Sequence, residues 1–363
     1  MSLMEISEIA KMLAADIDTL VRILLPAARM EGPEWRIGSC AGEPGRSMAI
    51  HRHGSKRGLW SDFSDRGKGG DAVELVAQVL FAGDKKLAIQ WSRRHLGLDK
   101  LDPNALKQTR AKIKSQIKTD EENARAAAAK RSRLAQAIWL SGRADLENTP
   151  VALYLLGRGI GLGDLARPPG ALRYVASLDY PPSLNDGLVT SWPAMVAAIT
   201  NGRGEHIATH RTFLHSPMGG VVKKAPVKDA KLTLGSYRGG YIPLSRGASG
   251  KSLKDAPAGD KVIICEGIED GLSLALSLPE YRVLAAISVS NFMNIDLPKN
   301  ISEVVIAADN DGEDTPAGRA LQSAIDRFID QGRDVFEARS PIGKDFNDAL
   351  TAEELQEQLQ GAI

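Results

Sequence analysis

Cysteine is nearly absent. Cys40 and Cys265 are the two in 363 residues, too few for a disulfide framework, and a reducing cytoplasm is the simplest setting. No apolar run reaches the roughly 20 residues that a helix needs to cross a bilayer. No secretory leader precedes the first apolar periodicity, so neither export nor a membrane is expected. An excess of charge is missing too: 46 Lys and Arg stand against 45 Asp and Glu, a formal net charge of +1. Any electrostatic function must then come from how the charges are distributed. The phosphate-cradling loop G-x-x-x-x-G-K-[ST] is also lacking. Ser249-Gly250-Lys251-Ser252 has its ending, but Ser245 stands where the earlier glycine belongs, and no strand-to-helix pattern surrounds it. No nucleotide-driven motor is expected in this chain. The 43% apolar content suits a soluble globular protein, and the length suits two or three domains.

What is present centres on Lys261 to Asp348. The short apolar run Val262-Ile263-Ile264-Cys265 ends abruptly at Glu266-Gly267, and a helical pattern follows from Glu269 to Leu278. Further strand-like runs cover Arg282 to Ile287 and Glu303 to Ala308, the latter ending at Asp309-Asn310-Asp311-Gly312. An amphipathic segment from Pro316 to Gln331, a strand-like Asp334 to Ala338 and Lys344-Asp345-Phe346-Asn347-Asp348 complete the stretch. Short apolar runs alternating with helical patterns predict a parallel sheet flanked by helices. Ligands of such sheets sit beyond the carboxyl ends of the strands, where Glu266, Asp309 and Asp311 fall. Carboxylates gathered there repel one another unless a cation joins them. Hard oxygen donors suit magnesium, which keeps coordination sites for substrate phosphates.

Glu-Gly after a strand, Asp-x-Asp-Gly after a later strand and a trailing Lys-Asp-x-x-Asp together resemble the Toprim domain of bacterial-type primases, topoisomerases and some nucleases. That resemblance implies a divalent metal, Mg2+ or Mn2+, held by Glu266, Asp309 and Asp311, the catalytic carboxylates. Asp270 and Asp345 fall on acidic positions of the primase branch.

The first hundred residues read differently. Ile6, Ile9, Leu13, Ile17, Leu20 and Leu24 recur at helical spacing and predict one amphipathic helix stopped by Pro26. A small antiparallel sheet follows over Glu34–Ile37, Ser47–His51 and Gly58–Phe63. Gly67-Lys68-Gly69-Gly70-Asp71-Ala72 then leads into a helix through Phe81, with Asp71 as N-cap. This layout resembles the zinc-ribbon module of bacterial-type primases. Four Cys or His ligands are needed for such a site, and only Cys40, His51 and His53 are near. A zinc-free relic held by Trp35, Trp60 and Phe63 is therefore expected. These aromatics serve as core, or stack on the bases of a template. Another helix is expected from Lys85 to Leu98.

From Lys100 to Arg133 the chain is rich in Lys and Arg and reads as a helical or partly disordered connector. Its charge either binds phosphate or simply solvates a helix face. Beyond it, Val151 to Ile160 predicts a helix ending in glycine. Ala194–Thr200 and His206–Leu214, joined through Asn201-Gly202-Arg203-Gly204, predict a hairpin. Lys231–Tyr237 and Tyr241–Leu244 add strands. Arg203, Arg211, Lys223, Lys224, Lys228, Lys231, Arg238, Arg246 and Lys251 meet almost no acid along this stretch. A basic lobe thus accompanies the acidic strand ends, the polarity that a phosphodiester enzyme requires. The stretch resembles the N-terminal subdomain of the bacterial primase core, in the arrangement carried by phages, plasmids and integrated elements. Arg211 and Lys231 match its positions best, and with the basic stretch this leads us to expect nucleic-acid and nucleotide contacts by Arg158, Arg211, Lys223, Lys224, Lys231, Arg238 and Lys344.

The expected fold class is α/β: a C-terminal Toprim domain preceded by a mixed α+β basic subdomain and a small N-terminal α+β domain. Boundaries are expected at 1–99, 100–133 (basic linker), 134–258, 259–350 and 351–363 (C-terminal helix). The expected function is a cytoplasmic, nucleoid-associated DNA primase that joins nucleoside triphosphates into short primers on single-stranded DNA, with any helicase a separate partner. Two alternatives stay open: a nuclease using the same carboxylates, and a catalytically silent nucleic-acid-binding accessory protein. No tyrosine-bearing breakage domain of the topoisomerase kind is evident.

Overall fold

The computed structural model describes residues 6–63, 68–98, 103–218, 220–310 and 315–352. The chain divides into two compact units, Met1–Ala127 and Ala128–Ile363.

The first unit opens with α1 (Ile6–Ala15) and α2 (Ile17–Leu24). Ile9, Leu13, Ile17, Leu20 and Leu24 are buried as their periodicity requires, whereas Ile6 is exposed. They lie on two helices, not the single one expected: Asp16, at φ −121° and ψ 41°, leaves the helical region and breaks the run. Five strands follow, β1 (Arg29–Glu31), β2 (Glu34–Ile37), β3 (Met48–His51), β4 (Trp60–Asp62) and β5 (Lys68–Gly70). They form an antiparallel meander in chain order. Against it pack α3 (Ala72–Phe81) and α4 (Lys85–His95).

Trp35 and Trp60 are core residues of this unit, but Phe63 is 68% exposed and supports nothing. The Trp35 indole donates to Asp18 Oδ1 at 2.7 Å, and Arg52 forks onto the same carboxylate at 2.7 and 2.9 Å. Cys40 Sγ lies 3.8 Å from Met48 Sδ, and His51 Nδ1 lies 3.2 Å from Glu34 Oε1. Asp71 caps α3 as its position predicts, its Oδ1 accepting from the amides of Val73 and Glu74 at 2.9 Å.

One long helix, α5 (Pro103–Ser141), runs from the first unit into the second. The connector is thus helical, and it continues past Arg133. Its last turns are built into the second unit: the Ala135 carbonyl accepts from Thr209 Oγ1 at 2.7 Å, and the Trp139 indole donates to the Ala171 carbonyl at 2.7 Å. Next come α6 (Pro150–Leu156), capped by Thr149, and β6 (Leu172–Tyr180), β7 (Thr190–Thr200), β8 (His206–His215), β9 (Lys223–Lys224) and β10 (Lys231–Gly235). Their sheet is antiparallel in the order β10-β8-β7-β6, with β9 also on β8. The β7–β8 turn forms as its composition predicts: the Asn201 side chain accepts from the amides of Arg203 and Glu205, and Gly204 takes φ 81°. Strand β6 was not anticipated. A register irregularity between Val175 and Leu178 interrupts the period-two alternation by which a strand is read.

The last sheet holds β11 (Ile242–Arg246), β12 (Lys261–Cys265), β13 (Arg282–Ala285), β14 (Glu303–Ala308) and β15 (Asp334–Arg339), in the order β11-β13-β12-β14-β15. The last four named run parallel, and β11 pairs antiparallel with β13. Between them run α7 (Ile268–Ser277), α8 (Val289–Phe292) and α9 (Pro316–Asp330). Val262 to Cys265 are all buried, as a strand covered on both faces must be. The P-loop look-alike is a structural bracket. Arg282, 2% exposed, donates to Asp260 Oδ2, Ser249 Oγ and the Lys251 carbonyl, each at 2.7 Å.

The Asp71 cap provides a simple check on the first unit. Asp71→Ala should lower its stability by about 1 kcal/mol, read as a lower urea midpoint with an unchanged slope.

Candidate active site

Strand order decides where the acids meet. The chain leaves β12 for β13 on one side and then crosses to β14 on the other, so the switch point lies between β12 and β14. Their parallel register pairs Ile264 with Ile306. Two residues further on, Glu266 is level with Ala308 and beside Asp309. Ile287, just beyond β13, donates its amide to the Glu266 carbonyl at 3.0 Å with φ 74°, a left-handed conformation that costs a β-branched residue. The loop after β15 closes over the β14 end: Asn310 N donates to the Lys344 carbonyl at 3.0 Å, and Asn310 Nδ2 to the Ser340 and Gly343 carbonyls.

This closure brings Asp345 to the rim. Burial, then the charges of Asp345 and Asp309, push the Asp270 carboxyl up to about 7. Asp270, Asp309, Asp345 and Glu266 therefore share one rim. Asp311 lies outside the described residues. Among those described, no three His, Cys, Asp or Glu side chains stand close enough to hold a metal ion. The Cys265 thiol beneath is pushed up by burial and by Asp270, Asp309 and Glu266, and is inert.

The first turn of α7 separates two fields. Asp270 belongs to the acid rim, and its neighbour Glu269 belongs to a cationic cluster. Glu269 is 5% exposed. It receives Lys231 Nζ at 2.9 Å, the Tyr154 hydroxyl at 2.6 Å and, more distantly, Lys224 Nζ at 3.9 Å. Burial raises its pKa, but Lys231 and then Tyr154 outweigh that and hold it down at about 2. Sequence reading missed Glu269, because the adjacent acid matched a motif and this one did not. The basic stretch therefore does meet an acid, supplied by a distant helix.

Asn347 ties both fields to the fold. It is 2% exposed; its amide N donates to Asp270 Oδ1 at 3.3 Å, and Nδ2 to the Arg158 carbonyl at 2.7 Å and Ser273 Oγ at 3.1 Å. In return Arg158 Nη1 donates to Asn347 Oδ1 at 3.3 Å. The Arg158 and Lys224 charges act on each other, so Arg158 joins the Glu269 cluster.

The expected cations divide between two sheet faces. Lys231 is paired with Thr212 and Lys224 with Leu214, so both lie on the His210 face of β8. Arg211 and Lys223 lie on the other face, since side chains alternate. Arg211 is 8% exposed against Phe213, and its Nε has no hydrogen-bond partner. Arg211 and Lys231 therefore stand on opposite faces of the sheet. Burial, followed by Lys231, pushes His210 down to about 4, so it is neutral at pH 7. Arg238 is exposed and donates to Asn294 Oδ1 at 3.0 Å, away from Glu269. The Lys344 side chain is exposed on the closing loop.

Residues 261–354 match the family model described as Toprim domain, and residues 129–244 match one described as a domain of unknown function (DUF7146). The C-terminal part of the second unit is a Toprim domain, as Glu266, Asp309 and the trailing Lys344-Asp345 led us to expect. Among solved structures, the chain is similar to the Aquifex aeolicus primase zinc-binding and RNA polymerase domains, at 18% identity over 97% of this chain and 85% of that one, TM-score 0.36. It is similar to the E. coli primase catalytic core at 16% identity over 63% and 79%, TM-score 0.38. The primase fragment of the bacteriophage T7 primase-helicase protein gives 18% over 58% and 72%, TM-score 0.34. No curated protein matches.

Two substitutions test the division at α7. A carboxylate held at about 2 stabilises the fold above its unfolded value near 4.5 and ceases to as pH falls towards 2. Glu269→Gln should therefore cost about 3 kcal/mol at pH 7 and weaken the acid dependence of the urea midpoint between pH 4.5 and 2. Asp270 has the opposite sign. With a folded value near 7 against 3.8 unfolded, its ionisation opposes folding, increasingly from pH 4 to 7 and fully above. In chelator at pH 8, Asp270→Asn should raise stability by about 2 kcal/mol, discounted for partial exposure.

Proposed function

We propose that the second unit catalyses phosphoryl transfer as a primase-type nucleotidyltransferase, joining nucleotides into short oligonucleotides on a single-stranded DNA template. The observation that carries this reading is the meeting of an acid rim and a cationic cluster on one turn of α7. Asp270, pushed up to about 7 by burial and neighbouring carboxylates, marks a group of hard oxygen donors that repel one another. That chemistry fits magnesium or manganese. Glu266, Asp309 and Asp311 would hold the ion, with Asp270 and Asp345 beside them. When bound, it supplies charge neutralisation at the phosphates and polarises the attacking oxygen.

The chain's own groups do the rest. Glu266 accepts the proton of a 3′-hydroxyl as its oxygen bonds in line to the α-phosphorus of the incoming triphosphate and pyrophosphate leaves. Lys231 and Lys224, oriented by Glu269, and Arg158 present positive charge to the triphosphate, with Lys344 on the closing loop as a further cation. Arg211 acts from the far face of the sheet and contributes no contact to this site. A replicative helicase would be a separate protein.

The assay combines the protein with magnesium, the four ribonucleoside triphosphates and single-stranded DNA. Short labelled products are expected. Asp309→Ala should lower their yield about a thousandfold, equivalent to roughly 4 kcal/mol of barrier, while binding DNA as wild type does. Shortening of the template instead would make the unit a nuclease. An Asp309→Ala protein as active as wild type would remove the site assignment.

A further inference from the structure

A cavity of about 330 Å³ lies in the second unit, and no residue of the acid rim or of the Glu269 cluster lines it. Its walls come from the segment between α6 and β6, from β11 and the turn after it, and from the C-terminal end of α7. Pro168, Pro243 and Pro279 line it together with Leu165, Leu244 and Ala275. Leu244 and Ala275 are core residues, each 4% exposed, and the proline rings add rigid apolar faces.

Polar groups are few here. Ser245 Oγ is committed to the fold, donating to the Tyr281 carbonyl and accepting from Gly247 N, both at 3.1 Å. Arg167 and Arg246 remain, both exposed, and no carboxylate lines the cavity. Arg167 places one of its five N–H donors on the Gly247 carbonyl at 3.0 Å. Arg246 is the register partner of Arg282. Arg282 has Asp260 at 2.7 Å, whereas the cavity beside Arg246 holds no acid.

The position of Arg167 is built into the chain. A Cβ at Gly250 would fall 2.6 Å from Arg167 Cζ, and Gly250 takes φ +67°. The glycine of the P-loop look-alike thus makes room for a guanidinium. Mainly apolar walls with a few polar groups are the features of a small-molecule pocket. Polar groups that are both guanidinium select an anion, and they grip phosphate or carboxylate oxygens through paired N–H donors.

We propose that this cavity binds a small organic anion, its phosphate or carboxylate head on Arg167 and Arg246 and its compact apolar body against the three prolines. The site is separate from the phosphoryl-transfer machinery and does not rest on that reading. Its occupant touches Ala275 and so braces the helix that carries Asp270.

The test is isothermal titration calorimetry of the full chain with benzylphosphonate, phenylacetate and inorganic phosphate. The proteins are wild type, Arg246→Ala and Gly170→Leu. Gly170 lines the cavity, and a Cβ there meets no atom within 4 Å, so a leucine occupies the space without disturbing the walls. Wild type should bind one of the two organic anions, and the one bound more tightly identifies the head group. Arg246→Ala should weaken that binding about tenfold, and Gly170→Leu should abolish it. Equal affinity for inorganic phosphate would overturn the apolar half of the site and with it the proposal. Undiminished binding of the organic anion in both variants would place it elsewhere and overturn the proposal as well. So would the absence of heat from the wild type at about 1 mM ligand.

Discussion

A carboxylate taken out of water must be neutralised where it sits, and the answer to Glu269 determines the shape of the second unit. Lys231 comes from β10, Lys224 from β9 and Tyr154 from α6. The acid itself comes from α7 of the Toprim domain. One buried charge thereby fixes the antiparallel sheet, α6 and α7 to one another. Removing any partner leaves a charge or a hydroxyl unmatched inside the protein, which costs far more than a surface ion pair contributes.

Close approach of α7 to its sheet makes this possible. A Cβ at Gly271 would come 2.8 Å from Cys265 Sγ, and one at Gly267 would come 2.7 Å from Asp270 Oδ2. With glycine at both positions, the first turn of α7 sits against the end of β12, and Glu269 and Asp270 project from it into different surroundings. Two buried amides complete the frame. Asn347 fastens the segment after β15 to α7 and to Arg158, and Asn291 fastens the loop after β10 to β13. Each has its donors and acceptors engaged with backbone or side-chain groups of other elements, the arrangement in which a buried polar group specifies geometry instead of weakening the core.

Much of the Toprim sheet was legible because its strands are buried on both faces and read as unbroken apolar runs. Glu303–Ala308 and the neighbouring Asp309 fell where the spacing put them. The basic lobe was legible only as composition. Lys231 and Arg211 look alike in a list of cations, yet β10–β8 register sends them to opposite faces, and register is set by pairing, which composition does not report. Glu269 and the amides Asn291 and Asn347 were invisible for a related reason. Their significance lies in partners between 38 and 189 residues away, and no local pattern encodes such a separation. Phe63 failed in the reverse sense: hydrophobic character implies burial only on average.

The near-zero net charge conceals a local separation of signs. At the acid rim burial and neighbouring carboxylates raise proton affinity, visible in Asp270, and in the cluster a single helical turn away burial and neighbouring cations lower it, visible in Lys224. Left apart, each group would destabilise its own surroundings. Side by side on α7 they form a steep field across one turn, with carboxylates suited to a divalent ion on one side and fixed ammonium groups suited to phosphate on the other. Such a field needs no reorganisation when a polyphosphate enters. It also accounts for why the structure tolerates a rim whose ionisation opposes folding: the stability lost at Asp270 is offset at Glu269, within the same turn.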